Sequence, residues 1–336
     1  MSSIVVGLSG GVDSAVAAYK LIQDGHRVTG VFLKSEGSDP SDAENVARFL
    51  GCDFIVKDIS ATLEREVIEP FIRAYREGRT PNPCVTCNPN VKFPFLFAAA
   101  DSIGAQYAAT GHYARTDHLN GRYRLLRGRP ENDQSYMLAG LRQDQLARIV
   151  FPLGTMVKAQ VRALAREIGL PVADKPDSME ICFVTNGDFA EFIESRGEAL
   201  PPGDIVDTEG NVLGRHKGLH RYTLGQRRGL GVAGGRRLFV RKLDMETNRL
   251  VLSEGDELYA DRLFLSGINW ISVAGLSAPA RVSVRVRHSR TEAAATALPQ
   301  DDGLELVFEM PVRAPTPGQT AAIYSGDAML ASAVIE

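Results

Sequence analysis

The run Ile4-Val5-Val6-Gly7-Leu8 leads straight into Ser9-Gly10-Gly11-Val12-Asp13-Ser14, and that junction admits few folds. A short apolar, β-branched run reads as a strand buried on both faces, as strands of parallel sheets are. From Val12 to Asp24 apolar residues recur three or four apart, and Gly25 stands where a left-handed C-terminal cap belongs. A strand that passes through a Gly-Gly turn into a helix start aims unpaired N–H groups and the positive end of the helix dipole at the turn. It is therefore a phosphate site. No Gly-Lys-Ser/Thr follows, so this is not a Walker A loop, and the turn offers no lysine to a terminal phosphate. The plainer alternative is a tight turn in which Asp13 or Ser14 caps the helix.

The alternation continues. Arg27 to Leu33 reads as a second strand, followed by a helix opened by a capping box, Ser41-x-x-Glu44, and closed by Gly51. Asp53 to Ile59 makes a third strand and Ala61 to Glu77 a long helix. Strands alternating with helices predict an α/β fold with a doubly wound parallel sheet, whose ligands sit at the carboxyl ends of the strands. The stretch from Gly78 to Phe93 carries Pro81, Pro83, Asn82 and the pair Cys84-x-x-Cys87, and reads as an ordered loop. Gln106 to Ala114 reads as a strand, and Asn120-Gly121 as the turn of a hairpin between Arg115 and Leu126. Lys158 to Ile168 is a basic amphipathic helix ended by Gly169, and the loop after it carries Asp177-Ser178-Met179-Glu180-Ile181-Cys182-Phe183. From Pro201-Pro202-Gly203 the pattern changes to short β runs with Gly-rich turns and no helix. We expect domains at 1–200 (α/β), 201–265 (small, β-rich) and 266–336 (a C-terminal β-barrel).

Four cysteines, Cys52, Cys84, Cys87 and Cys182, are too few and too unevenly spaced for a disulfide framework. Cys52 follows a capping glycine and precedes an apolar strand, the setting of a buried structural thiol. The other three read as catalytic or metal-binding. No long apolar run and no signal-peptide pattern occurs, which predicts a cytoplasmic protein without membrane contact. The net charge of −3 hides an asymmetry: Asn211 to Leu243 holds Arg215, Lys217, Arg221, Arg227, Arg228, Arg236, Arg237, Arg241 and Lys242 with no Asp or Glu. Local charge is what a phosphate backbone responds to. His216, His220 and Tyr222 interleave with these cations and suit stacking on an unpaired base. Further on, Arg281, Arg285 and Arg287 alternate with Val282, Val284 and Val286, which predicts a strand with an arginine strip on one face.

The SGGVDS loop resembles that of the N-type ATP pyrophosphatases, adenine nucleotide alpha hydrolase-like (PP-loop) enzymes that cleave ATP between the α and β phosphates and transfer AMP to an oxygen. Read together, GLSGGVDSAVAAYKL, GRTPNPCVTCNPNVKF, ATGHYAR, DQSYML, FPLG, DSMEICFV and YTLGQRRGLGV are similar to the bacterial tRNA-specific 2-thiouridylases, the MnmA family, in the same order from Ile4 to Val232. The resemblance implies ATP and Mg²⁺ at Gly7, Leu8, Ser9, Gly10, Gly11, Val12, Asp13, Ser14, Leu33 and Gly111, with Asp13 orienting the loop or the metal. It implies a persulfide on Cys182 and a partner nucleophile in Cys87, which together thiolate the wobble uridine of tRNA after its C2 oxygen is adenylated. It implies tRNA contacts at Asn82, Pro83, Cys84, His112, Asn132, Asp133, Gln134, Arg287, His288 and Gln319, and sulfur supplied by a cysteine desulfurase or a relay protein.

Three departures qualify the match. Cys84 stands where many members have Asp, Asn132 where Lys is usual, and the loop from Leu33 to Ser41 is short. The three cysteines also permit a second reading, a four-iron four-sulfur cluster held by Cys84, Cys87 and Cys182 with one iron open, and a third, a structural zinc. His112 either contacts RNA or caps the strand end. Rival functions are an amide- or amidine-forming ATP pyrophosphatase, which needs neither Cys87 nor Cys182, and a non-catalytic tRNA-binding or ATP-sensing module.

Overall fold

The structure is a computed structural model that describes residues 1–177, 181–184, 187–197, 199–232, 237–289 and 291–336. Ser178, Met179 and Glu180 of the cysteine segment, and Arg236 of the basic stretch, lie outside the described residues. In chain order the first strands are β1 (Ser3–Gly7), β2 (Arg27–Lys34), β3 (Asp53–Asp58) and β4 (Tyr107–Ala109). The hairpin β5 (Ala114–Leu119) and β6 (Arg122–Arg127) follows, then the short β7 (Ile149–Val150). Strands β3-β2-β1-β4-β7 form one all-parallel sheet. The chain crosses to opposite sides of β1, toward β2 and toward β4, and so opens a crevice at the carboxyl ends of β1 and β4.

Alternation along β1 explains why both faces are covered. Ile4 and Val6 pack with Ala15, Val16 and Leu21 of the helix Val12–Gln23 and with Val161 and Ala165 of the helix Lys158–Glu167. Val5 packs on the other face with Phe93, Leu96, Ala99 and Ala100 of the helix Phe93–Ser102. The segment read as a long helix over Ala61 to Glu77 is helical, as Ser60–Leu63 and Glu69–Arg76 joined by a π turn at Glu64–Ile68.

Three local expectations are corrected. Ser41 does not form a capping box: Pro40 takes the N-cap position, and the Ser41 hydroxyl donates to Asp39 Oδ1 at 2.6 Å. The strand expected over Gln106 to Ala114 is only Tyr107–Ala109, because the chain leaves the sheet at Thr110. The stretch from Gly78 to Phe93 is not a loop, since it turns helical at Pro83–Cys87 and continues through a π turn, Asn88–Lys92, into Phe93–Ser102. Asn82 Oδ1 caps this helix by accepting from the Cys84 N–H at 3.1 Å, and Pro83 sits in the first turn, where a missing N–H costs nothing. Cys84 and Cys87 are thus three apart on one helix face rather than in a loop.

The central strands are β8 (Gly203–Val206), β9 (Val212–His216), β10 (Phe239–Asp244) and β11 (Arg249–Ser253), in the order β10-β11-β8-β9 around a core of Ile205, Leu219, Val240, Leu250 and Leu252. The last six are β12 (Tyr259–Trp270), β13 (Ala280–Arg285), β14 (Ala293–Gln300), β15 (Gly303–Arg313), β16 (Thr320–Ser325) and β17 (Ala328–Ile335). They run β12-β15-β14-β13-β16-β17 and close by pairing β12 with β17 into an antiparallel barrel. Leu263, Leu265, Val282, Val284, Leu306 and Ile323 fill it.

The hairpin β5–β6 is shared between units. Its turn, Asn120 (φ 52°) and Gly121 (φ 76°), is as expected, and β6 pairs with β17 of the barrel through Leu126 and Ala328. Polar links fix the barrel to the segment 133–141: Ser135 Oγ lies 2.9 Å from Tyr324 OH, and Tyr136 OH donates to Thr320 O at 2.8 Å. Ser332 Oγ and Asn269 Nδ2 both donate to Ala139 O, at 2.7 and 3.0 Å. No described helix is long and apolar enough to cross a membrane.

Candidate active site

The glycine-rich turn leaves β1 at Gly7 and enters the helix at Val12, with Gly11 as N-cap and, among the described residues, no side chain capping the helix start. Neither Asp13 nor Ser14 caps it. Ser14 Oγ instead accepts from the Ser9 N–H at 3.2 Å and donates to Gly11 O at 3.0 Å, which braces the turn from inside. The first-turn N–H groups thus stay open to an anion. Gly10 holds φ +74°, and a Cβ there would lie 2.9 Å from Asp42 Cβ. Gly111, on the loop after β4, comes closer still: a Cβ would stand 2.7 Å from Asp13 C and 2.8 Å from Ser14 N. Only glycine lets that loop rest on the helix start.

Asp13 faces a cavity of about 870 Å³ lined also by Ser9, Gly11, Val12, Tyr113, Asn132, Asp133, Gln134, Lys158, Lys175, Asp177, Cys182, Arg285 and His288. The Asp13 carboxylate accepts from Lys158 Nζ at 2.8 and 2.7 Å and from Tyr113 OH at 2.6 Å. Lys158 Nζ also reaches Asp177 Oδ1 at 2.7 Å, so two carboxylates converge on one cation-sized position. Burial and the Asp13 carboxylate raise the Tyr113 pKa, which keeps that hydroxyl a donor. Gln134 Oε1 accepts from the Tyr113 N–H at 3.0 Å and holds the tyrosine in place.

Cys182 stands exposed on a turn closed by the Val184 N–H to Ile181 O at 2.9 Å. Phe183 anchors that turn against Phe71 and Phe192, at centroid distances of 5.4 and 5.5 Å. Ile181, Phe183, Leu33 and Cys87 pack on the same apolar cluster, built on Phe71, Ile72 and Tyr75. Leu33, at the carboxyl end of β2, thus neighbours the sulfur segment rather than lining the cavity. Burial pushes the Cys84 thiol up and the Cys87 thiol to about 11, against the opposing pull of Lys92. Cys87 is therefore held as a thiol at neutral pH. Among the described residues no group of three His, Cys, Asp or Glu side chains is placed to hold a metal ion, while Cys182 lies near enough to raise both the Cys84 and the Cys87 thiols.

The residues assigned to tRNA fall into two groups. Asn132, Asp133, Gln134 and His288 line the cavity, whereas Asn82, Pro83, Cys84, His112, Arg287 and Gln319 do not. Among the described residues, the buried Asn132 Oδ1 has no hydrogen-bond partner. Asp133 accepts from the Gly128 and Ser135 N–H groups, from Ser135 Oγ and from Arg285 NH1, which uses all four lone-pair sites within the protein. His112 Nδ1 lies 2.7 Å from Thr110 Oγ1, and burial, with the Lys92 charge, holds its pKa well below the usual histidine value. Arg287 is exposed and donates to Arg313 O at 3.3 Å, and Gln319 Nε2 donates to Thr80 O at 2.7 Å.

Two expected RNA surfaces are corrected. The arginine strip is broken, because β13 ends at Arg285 and that side chain is buried between Asp133 and Glu292. His216, His220 and Tyr222 cannot stack on a base: they are buried, with His220 Nε2 2.8 Å from Glu194 and His216 Nε2 3.1 Å from Asn248 O. Arg215, Lys217, Arg227, Arg228 and Arg237 do stay exposed. The sequence reading missed Lys158, Lys175, Tyr113 and Asp177 as site residues. The basic helix start at Lys158 was the only signal for the first, and it gave no indication of Asp13 as a partner.

The chain matches three family profiles, described as "tRNA methyl transferase HUP domain" over 2–186, "tRNA methyl transferase PRC-barrel domain" over 190–254 and "Aminomethyltransferase beta-barrel domain" over 260–335. A tRNA-specific 2-thiouridylase of Caldanaerobacter subterraneus subsp. tengcongensis is 44% identical, covering 99% of this chain and 97% of its own. Those of Acetivibrio thermocellus and Moorella thermoacetica are 41% and 44% identical, each covering 99% of both chains. The profile labels speak of methyl transfer, while these full-length relatives are named for thiolation. Among solved structures, NMN synthetase from Francisella tularensis aligns over 53% of this chain and 66% of its own at 21% identity, with a TM-score of 0.35, too slight a likeness to bear on function.

Proposed function

Since this chain belongs to the tRNA-specific 2-thiouridylase family, we propose that it thiolates the C2 position of the wobble uridine of tRNA, using ATP and a cysteine persulfide. One observation carries the reading: a single cavity brings Ser9, Gly11, Val12 and Asp13 of the anion-binding turn together with Cys182 and with Asn132, Gln134 and His288. Adenylation chemistry and a sulfur-bearing thiol are then within one enclosure.

The uracil C2 oxygen is a poor leaving group, so it must first be activated. In the proposed first step that oxygen attacks the α-phosphorus of ATP, the α–β bond breaks and pyrophosphate leaves. The open N–H groups at the start of the helix Val12–Gln23 and its dipole stabilise the departing negative charge. Asp13 and Asp177, already converging on one ammonium, are the carboxylates that would hold Mg²⁺, whose chemistry is to neutralise the phosphates. The terminal sulfur of a Cys182 persulfide next attacks C2, and the oxygen departs with AMP. The Cys87 thiolate then attacks Cys182 Sγ. The bond between Sγ and the transferred sulfur breaks, its electron pair leaves 2-thiouridine on the tRNA, and a Cys87–Cys182 disulfide remains for reduction. Because the Cys87 pKa is pushed to about 11, this last step requires the thiol to lose its proton on engagement.

The persulfide route is preferred to an iron–sulfur cluster because it needs only Cys87 and Cys182, and Cys182 is an exposed thiol lining the cavity. The domains proposed at 1–200, 201–265 and 266–336 divide the work into adenylation, phosphate-backbone contact and docking. The cytoplasm and a desulfurase or relay protein as sulfur donor complete the proposal. Its test is pyrophosphate release that requires tRNA and is abolished in Asp13→Ala, with iron and acid-labile sulfide measured on anaerobically purified protein. Release at the wild-type rate in Asp13→Ala defeats the site assignment. Stoichiometric iron together with an inactive Cys84→Ser defeats the persulfide route and leaves thiolation standing.

A further inference from the structure

We propose that Cys84 is a second resolving thiol, which attacks Cys87 in the spent Cys87–Cys182 disulfide and frees Cys182 to take up the next sulfur. The inference rests on the persulfide reading and extends it to regeneration of the enzyme. In this exchange the Cys84–Cys87 bond forms as the Cys87–Cys182 bond breaks, and the electron pair of the broken bond leaves on Cys182 as its thiolate. No net oxidation occurs. An external dithiol then reduces the Cys84–Cys87 bridge and is itself oxidised to a disulfide.

Cys84 and Cys87 stand three apart on one face of the helix Pro83–Cys87, a spacing that puts Cβ atoms about 5–6 Å apart. A disulfide wants about 3.5–4.5 Å, so the turn between them must tighten by roughly 1–2 Å. Asn88 Nδ2 donates to Met137 O and Gln145 Nε2 to Pro89 O, each at 2.7 Å, and these bonds pin the chain just after Cys87. The tightening therefore falls on the first turn and its Asn82 cap. The third sulfur is at hand, since Ile181 and Phe183 on either side of Cys182 pack on the same apolar cluster as Cys87. Helix stability gives no reason for a thiol at position 84, because an acidic side chain in a first turn suits the dipole better. Bridging also arms Cys84. Burial raises its pKa most, Lys92 lowers it and the nearby Cys182 charge raises it, so once Cys182 is bonded to Cys87 that charge is gone and the pull of Lys92 remains. Strain in the tightened turn keeps the Cys87–Cys182 bridge predominant until the released Cys182 thiolate is consumed, by fresh sulfur or by an alkylating agent.

The test follows the sulfurs by peptide mass analysis of the full chain, freed of reductant and held with excess iodoacetamide. In the wild-type chain the disulfide is formed by one persulfide-loaded turnover. In Cys84→Ser it is formed with diamide, a thiol oxidant, so that the comparison does not depend on that variant's turnover. Wild-type protein should accumulate alkylated Cys182 together with a Cys84–Cys87 disulfide, faster as pH rises and the Cys84 thiolate fraction grows. Cys84→Ser should keep its Cys87–Cys182 disulfide and lose the label on Cys182. Release of Cys182 at the wild-type rate in Cys84→Ser overturns the inference, and so does wild-type protein alkylated at Cys84 while Cys87 and Cys182 stay bridged. In both cases the persulfide reading stands. A wild-type chain in which Cys87 enters no disulfide after turnover defeats the persulfide reading and this inference with it. Should Cys84→Ser not fold, the wild-type arm decides alone: labelled Cys182 with bridged Cys84–Cys87 supports the exchange, and labelled Cys84 overturns it.

Discussion

Replacing Arg285 with Met removes the partner from a carboxylate that water hardly reaches. Asp133 and Arg285 side chains are 2% and 9% exposed and 2.6 Å apart, with Glu292 a further 2.8 Å from the guanidinium. Breaking one side of such a buried pair costs about 3–5 kcal/mol. The three donors that remain on Asp133, from Gly128 and Ser135, place the expected loss near the lower end, about 3 kcal/mol. The readout is denaturant unfolding of the full chain, together with the salt dependence of tRNA binding. Arg285→Met should be destabilised, the double variant Asp133→Asn/Arg285→Met should recover more than half of the loss, and the log–log salt slope should not change. If Arg285 were a phosphate contact instead, stability would hold and the slope would fall by about 0.7–0.9. That pair of results would refute the structural role given to this arginine.

Other substitutions and pH give further checks. Gly111→Ala forces a Cβ to within 2.8 Å of the start of the helix Val12–Gln23, and should abolish pyrophosphate release with little change in circular dichroism. Burial lowers the pKa values of His112 and His216, so the unfolded chain takes up protons first as pH falls below about 6.5. Stability contributed by keeping them neutral is complete above that pH, and the melting temperature should fall between pH 7 and pH 5, less so in His216→Gln. With its thiol pushed to about 11, Cys87 should alkylate far more slowly than exposed Cys182 at pH 8, and its rate should climb with pH as the thiolate fraction grows. Arg227→Glu/Arg228→Glu should flatten the salt slope for tRNA by at least about 1.8, and an unchanged slope would mark that stretch as solvated surface only.

What the sequence disclosed was local. The strand, the Gly-Gly turn and the helix after it follow from neighbours within twenty residues, as do the left-handed glycines at Gly25, Gly51 and Gly121. The misreadings have local causes too. Asn82 and Pro83 look like loop formers, yet one is an N-cap and the other a first-turn proline, and Pro40 displaced Ser41 from the cap it was expected to fill. What stayed hidden is long-range pairing. Lys158 meets Asp13 across 145 positions and Arg285 meets Asp133 across 152, and no periodicity carries that information. The alternation of Arg281, Arg285 and Arg287 with valines did predict a strand, but not that a carboxylate from another unit would bury its middle arginine.

The claim that this chain exchanges oxygen for sulfur on tRNA is tested most directly by nucleoside mass analysis of unmodified tRNA after a single turnover. The protein is first loaded with persulfide sulfur and then given tRNA, Mg²⁺ and ATP. The account predicts a wobble uridine heavier by the exchange of one oxygen for one sulfur, one AMP formed for each, and a Cys87–Cys182 disulfide in the spent protein. Neither the thiolated nucleoside nor the disulfide should form with Cys182→Ser. A uridine that gains a methyl group instead, or AMP formed at the same rate without tRNA, would contradict it.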